Sequence, residues 1–137
     1  MSRLVLLDNE AVHALATPNH PKHRKVISLV QVVVSRKQRA ARLTLAVPTA
    51  VRVEAGWDRT SPSWAFANRL RIADIPLDTA HANAAATLQR EARGSVADAH
   101  LGAAALAAAD AEVTIVTSDP TDMKRVTVGR IVTIVTI

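Results

Sequence analysis

The 137 residues are 49% hydrophobic and 21% charged, which suits one globular domain over residues 1–137 and excludes a disordered chain. There is no cysteine, so disulfides, thiolate metal sites and cysteine nucleophiles are excluded; a reducing cytoplasm is the expected compartment. The net charge of +5 is gathered in the first half, where Lys22, Arg24, Lys25, Arg36, Lys37, Arg39, Arg42, Arg52, Arg59, Arg69 and Arg71 face only Glu54 and Asp58; this suggests a polyanion partner or an arginine-rich solvated surface.

Arg3–Leu7 is an apolar run of strand length that stops at Asp8, too short for a signal peptide. No stretch reaches the roughly 18 apolar residues of a membrane span, so no membrane partner is expected. Asn9–Leu15 reads as a short helix ended by Thr17-Pro18. In His20–Ala41 the apolar residues Val26, Ile27, Leu29, Val30, Val33 and Val34 are spaced for a helix with one buried face. Leu43–Val47 is a second strand, ended by Pro48. Thr49 is placed to cap a helix to about Trp57. After Thr60-Ser61-Pro62 comes a helix over Ser63–Leu70 and a weak strand over Arg71–Ile75. Asp78 or Thr79 caps a helix to about Arg93, with Gly94 as its stop. Ser95 caps an alanine-rich helix to about Asp110. Glu112–Thr117 is the clearest strand, Pro120–Arg125 a short helix, and Ile131–Ile137 a final strand.

Alternating strands and helices predict an α/β three-layer sandwich, a mostly parallel sheet flanked by helices. Two successive helices before Glu112 would reverse the next strand unless one lies across the sheet edge. Thr79–Arg93 is assigned that place.

Several acids sit where the pattern predicts burial. Asp8 follows four apolar residues. Glu54 shares a helix face with Val51 and Trp57, and Asp98 shares one with Leu101, Gly102 and Ala105. Asp119 lies just past the strand ending at Thr117. In a parallel sheet the carboxyl ends of the strands share one edge, where sites form. Gathering carboxylates is costly: two unit charges about 4 Å apart repel by about 4 kcal/mol at an effective dielectric of 20. A divalent cation offsets this, and oxygen-only ligands favour Mg²⁺ or Mn²⁺. Such ions activate water and stabilise a leaving oxygen in phosphodiester hydrolysis. Each acid also has a plainer reading. Ser95-Val96-Ala97-Asp98 fits a capping box, and taken alone the sequence favours it. Asp119-Pro120-Thr121-Asp122 fits a capped helix start with Asp122 inside the first turn. Asp8 and Glu54 have no obvious local partner.

The segments LVLLDNEAV, VPTAVRVEAGW, GSVADAHLGAAAL and TIVTSDPTDM together resemble the four acidic motifs of the PIN-domain superfamily, and more narrowly its VapC-type toxins. The order and spacing match over nearly the whole chain. The resemblance implies a sheet ordered 3-2-1-4-5 and a Mg²⁺- or Mn²⁺-dependent endoribonuclease acting on structured RNA such as tRNA or rRNA. It also implies a homodimer neutralised by a cognate antitoxin. Asp8, Glu54, Asp98 and Asp119 become the catalytic metal-binding acids, Asp122 an auxiliary acid, and Thr117 and Ser118 supports of the pocket. Asn9 stands where many relatives have Ser or Thr.

Two rivals belong to other classes. A PIN fold can serve as an inert module that binds RNA or protein. A phosphoacceptor receiver domain is also a small α/β protein, but Asp74 and Lys124 fit its requirements poorly. His20 and His23 lack a third metal ligand and read as surface; His13, His81 and His100 read as helix surface or partly packed. Trp57 and Trp64 read as packing rather than base-stacking residues. None of the four glycines forms a phosphate-binding loop, which disfavours nucleotide-cofactor chemistry.

Overall fold

The computed structural model describes residues 2–39 and 42–137, without the side chains of residues 34 and 36–39. The expected helix end at Ala41, the apolar contact of Val34 and the basic side chains of Arg36, Lys37 and Arg39 therefore lie outside what is described.

The elements in chain order are β1 (Arg3–Leu7), α1 (Asn9–Ala16), α2 (His23–Arg39), β2 (Leu43–Pro48) and α3 (Thr49–Ala55). A 3₁₀ turn at Pro62–Trp64 leads into α4 (Ala65–Asn68), then β3 (Ala73–Ile75), α5 (Thr79–Ala92) and α6 (Val96–Ala107). The chain finishes with β4 (Glu112–Thr117), α7 (Pro120–Val126) and β5 (Thr133–Thr136). The five strands form one sheet, ordered β3-β2-β1-β4-β5, and every pairing is parallel. This is the order the resemblance implies. Parallel neighbours need crossovers, and right-handed crossovers place the helices on opposite faces as the chain moves first one way and then the other from β1. Beside α2, its Leu29 and Val33 line a groove with Val5 and Leu43; on the opposite face Ile134 and Thr136 lie beside Pro120 and Lys124 of α7. The sheet is covered on both sides, which explains why β1, β2 and β4 read as near-continuous apolar runs.

With three aromatics in the chain, the core depends on close approach of small residues. The sequence of α6 shows how. Ala97, Ala99, Leu101, Gly102, Ala103, Ala104 and Ala105 are all buried, so the helix is covered all round, packing on β2, α3, α5 and α7. At Gly102 a β-carbon would lie 2.5 Å from the Val126 carbonyl oxygen, which sets how closely α6 meets α7. The C-terminal carbonyls of α6 and the turn beyond it are satisfied from a distance. Arg130 donates to Ala105 O at 2.9 Å, Ala108 O at 2.6 Å and Asp110 O.

Some elements differ from expectation. α5 does not cross the sheet edge; it packs on α6 as an outer hairpin arm, joined through Ala85, Ala99, Ala103 and Leu88. α6 alone then makes the return crossover, so no strand is reversed. The left-handed residue ending α5 is Arg93 (φ 54°), not Gly94. Gly94 packs beside Asp98, whose Cβ and Oδ2 lie at ordinary contact distance, 3.4 Å, from where a side chain would start. Thr49 is not the cap of α3: Pro48 holds that position, and Thr49 Oγ1 accepts from Leu77 N at 3.0 Å. α3 stops at Ala55, because Gly56 turns left-handed (φ 74°). The single helix expected over Ser63–Leu70 is a 3₁₀ turn and the short α4. α2 starts at His23, because His20 is held in the preceding loop by Glu10, Nε2 to Oε1 2.7 Å.

Candidate functional site

The order 3-2-1-4-5 reverses between β1 and β4, which opens a crevice past their carboxyl ends. Asp8 and Asp119 stand at that edge, one after each strand. Asp8 is buried. Its Oδ1 accepts from Ala11 N at 2.9 Å, so it caps α1, and its Oδ2 accepts a short hydrogen bond from Thr117 Oγ1. The local partner that the sequence did not reveal is thus the first turn of its own helix. Thr117 is fully buried and its hydroxyl also accepts from Asp119 N at 2.9 Å. One threonine fixes the first acid and orients the loop bearing another. Burial pushes the Asp8 carboxyl above its usual range, against the hydrogen bonds from Thr117 and Ala11; Asp98 and Glu10 push it further.

Asp98 is half-buried in the first turn of α6. The capping box is present: Ser95 Oγ accepts from Asp98 N at 3.0 Å. Capping and membership of the acid group therefore coexist at Asp98. Its carboxyl is raised first by burial, then by Asp122, and also by Asp119, while hydrogen bonding to Ser95 opposes. Glu54 on α3 is raised by partial burial and then by Asp98, with nearby His13 opposing. Asp119 caps α7, accepting from Asp122 N at 3.1 Å. Asp122 is raised first by its hydrogen bonding with Asp119, and Arg125 lies 3.4 Å from its Oδ1. Asp98 is the common element: Asp8, Glu54, Asp119 and Asp122 each interact with it electrostatically. Among the described residues no three acids or imidazoles converge on one point closely enough to hold an ion as they stand.

The donor set nevertheless fits a hard divalent cation in its chemistry. It is all oxygen and its charges repel, relieved in part by Arg125 beside Asp122 and by His13 near Glu54. Asn9, next to Asp8, keeps a buried Oδ1 without a donor.

The basic half is less free than its sequence suggests. Arg52 and Arg59 both bind Asp74, at 2.9 and 2.8 Å, and Arg59 lies 4.5 Å over the Trp57 ring. Trp57 is core, with Trp64 stacked on it at 5.7 Å. Arg24, Lys25, Arg42, Arg69 and Arg71 are exposed and form no ion pair among the described residues. His23 hydrogen-bonds the Ala14 carbonyl at 2.7 Å, so neither it nor His20 is an open surface ligand. Val26 and Val30 of α2 are core, while Val32 is exposed.

His100 was not legible as a structural residue. It is fully buried, accepts from Ala50 N through Nδ1 at 3.2 Å, and faces His81 across 3.4 Å. Burial first, then His81, lower its pKa. The available signal was its position between Ala99 and the apolar run Leu101–Ala109.

Compared by sequence, the chain matches no protein-family model and no curated protein. Compared by structure, it is similar to a chain of the VapBC2 complex from Rickettsia felis bound to a DNA fragment from its promoter. The TM-score is 0.62 over 98% of each chain, at 13% identity. The likeness shows the fold, a PIN-like three-layer sandwich.

Proposed function

We propose that this protein is a Mg²⁺- or Mn²⁺-dependent endoribonuclease, the toxin of a toxin–antitoxin pair. One observation carries the reading: five carboxylates, just past the ends of β1 and β4 and on α3, α6 and α7, stand about the sheet's switch point and act on one another through Asp98, at a cost in mutual repulsion. A neutral scaffold has no use for that repulsion. The fold likeness to a toxin–antitoxin complex supports the same reading.

Asp8, Glu54, Asp98 and Asp119 would hold the cation, with Asp122 as an outer acid. The ion would supply activation of water and neutralisation of charge on the scissile phosphate. The chain's own contribution is positioning. Thr117 and the α1 N-terminus hold the Asp8 carboxylate in one orientation, and Ser95 caps the helix turn that bears Asp98. Glu54 and Asp119 are the more exposed acids, Asp122 is intermediate, and Asp8 is buried. The unpaired cations Arg24, Lys25, Arg69 and Arg71 would hold the RNA backbone. A homodimer, a cognate antitoxin and a cytoplasmic setting belong to the proposal; no helix among the described residues is long and apolar enough to cross a membrane.

A second reading is favoured by the acids' open arrangement, which does not yet form a cage. In it the fold is an inert module that binds RNA or protein. Asp8→Ala separates the two. The nuclease reading expects cleavage of RNA to vanish while RNA binding persists; unchanged cleavage would refute it.

A further inference from the structure

We propose that His100 is a positioning residue whose imidazole caps α3 from across the fold, fixing the helix that carries Glu54 against the helix that carries Asp98. The proposal rests on the reading of these acids as one metal-binding group.

α3 begins without a cap of its own. Pro48 has no side-chain acceptor, and the hydroxyl of Thr49 is already engaged with Leu77 N. The open amide of Ala50 instead donates to His100 Nδ1 at 3.2 Å, from a residue fifty positions later. Because Nδ1 accepts, the imidazole proton resides on Nε2, which faces His81 Nδ1 at 3.4 Å, with the rings edge-to-face. The buried ring thus links α3, α6 and α5 through polar contacts, on a helix whose other buried residues are alanines, Leu101 and Gly102. Ala50 and Glu54 are four residues apart, one turn along the same side of α3. His100 and Asp98 are two apart on α6. The bond pins the turn beneath Glu54 to the turn beside Asp98, and it is directional where alanine packing is not. A small shift at a metal ligand is felt in affinity, because ligand oxygens must meet an ion at fixed distances.

The two ends of the ring are separated by His100→Asn and His100→Gln. The asparagine amide oxygen stands near the position of Nδ1; the glutamine amide reaches toward that of Nε2. Two measurements are made on protein freed of metal: amide hydrogen exchange at Ala50, and Mn²⁺ affinity by calorimetric titration. We expect His100→Asn to keep Ala50 protection and Mn²⁺ affinity within about threefold of wild type. We expect His100→Gln to lose at least tenfold in both, with cleavage at saturating Mn²⁺ largely restored. Equal behaviour of the two variants, or full Ala50 protection in His100→Gln, overturns the proposal. So does lost protection with unchanged Mn²⁺ affinity, which leaves the nuclease reading intact. A wild-type protein that binds no Mn²⁺ overturns both. Should His100→Gln fail to fold, His100→Asn decides alone: loss of Ala50 protection or of affinity in a folded protein refutes the assignment.

Discussion

Asp98→Asn in metal-free protein should raise stability, although Asp98 sits in a well-formed capping box. Two carboxylates about 7 Å apart repel by about 2 kcal/mol at an effective dielectric of 20, and by about half of that where solvent enters. Asp98 is half-buried and faces Asp8, Glu54, Asp119 and Asp122, so two screened pairs alone release about 2 kcal/mol when its charge is removed. Against this, a neutral residue in the first turn forfeits about 0.5–1 kcal/mol of helix-dipole and capping interaction. The net gain is about 1 kcal/mol. A chain of this size has an unfolding entropy of about 0.3 kcal/mol/K, so Tm should rise by about 3–4 °C. The assay is thermal unfolding in chelator, followed by circular dichroism. The sign also governs pH. Asp8 and Asp98 bind protons more tightly when folded than at their ordinary value of 3.8. Stability of the wild type should therefore fall as pH rises from about 3.8 through the raised values, with the penalty complete above them. Asp98→Asn should flatten that fall. A lower Tm in the variant would mean that Asp98 is a cap and little else, and the repulsion argument would fail.

Two further outcomes follow from the packing and the hydrogen bonds. Gly102→Ala places a methyl group against the Val126 carbonyl and should destabilise by about 1–3 kcal/mol, lowering Tm by about 3–10 °C; an unchanged Tm would show that α6 and α7 separate freely. Thr117→Val removes the hydroxyl that donates to Asp8 and accepts from Asp119 N. Metal-dependent cleavage should fall at least tenfold and the Asp8 carboxyl should titrate still higher by NMR; wild-type activity would show that Asp8 needs no fixing.

Local signals made most of the framework legible. β1, β2 and β4 are apolar runs with clear stops at Asp8, Pro48 and Ser118, and Asp78 and Ser95 cap their helices as expected. The acids were legible because charge at the end of an apolar run is anomalous. What stayed hidden depends on contacts distant in sequence. Thr117 reaches Asp8 across 109 residues, and His100 reaches Ala50 across 50. The packing of α5 on α6 is carried by alanines, whose pattern gives no direction. Arg93 takes the left-handed position at the end of α5 although Gly94 follows it, and no local preference announces that exchange.

The central claim is tested most directly by incubating the purified protein, free of any partner, with total RNA in chelator, in Mg²⁺ and in Mn²⁺. The account predicts discrete fragments that appear only with metal. Folded protein that leaves the RNA intact under both metals would contradict it.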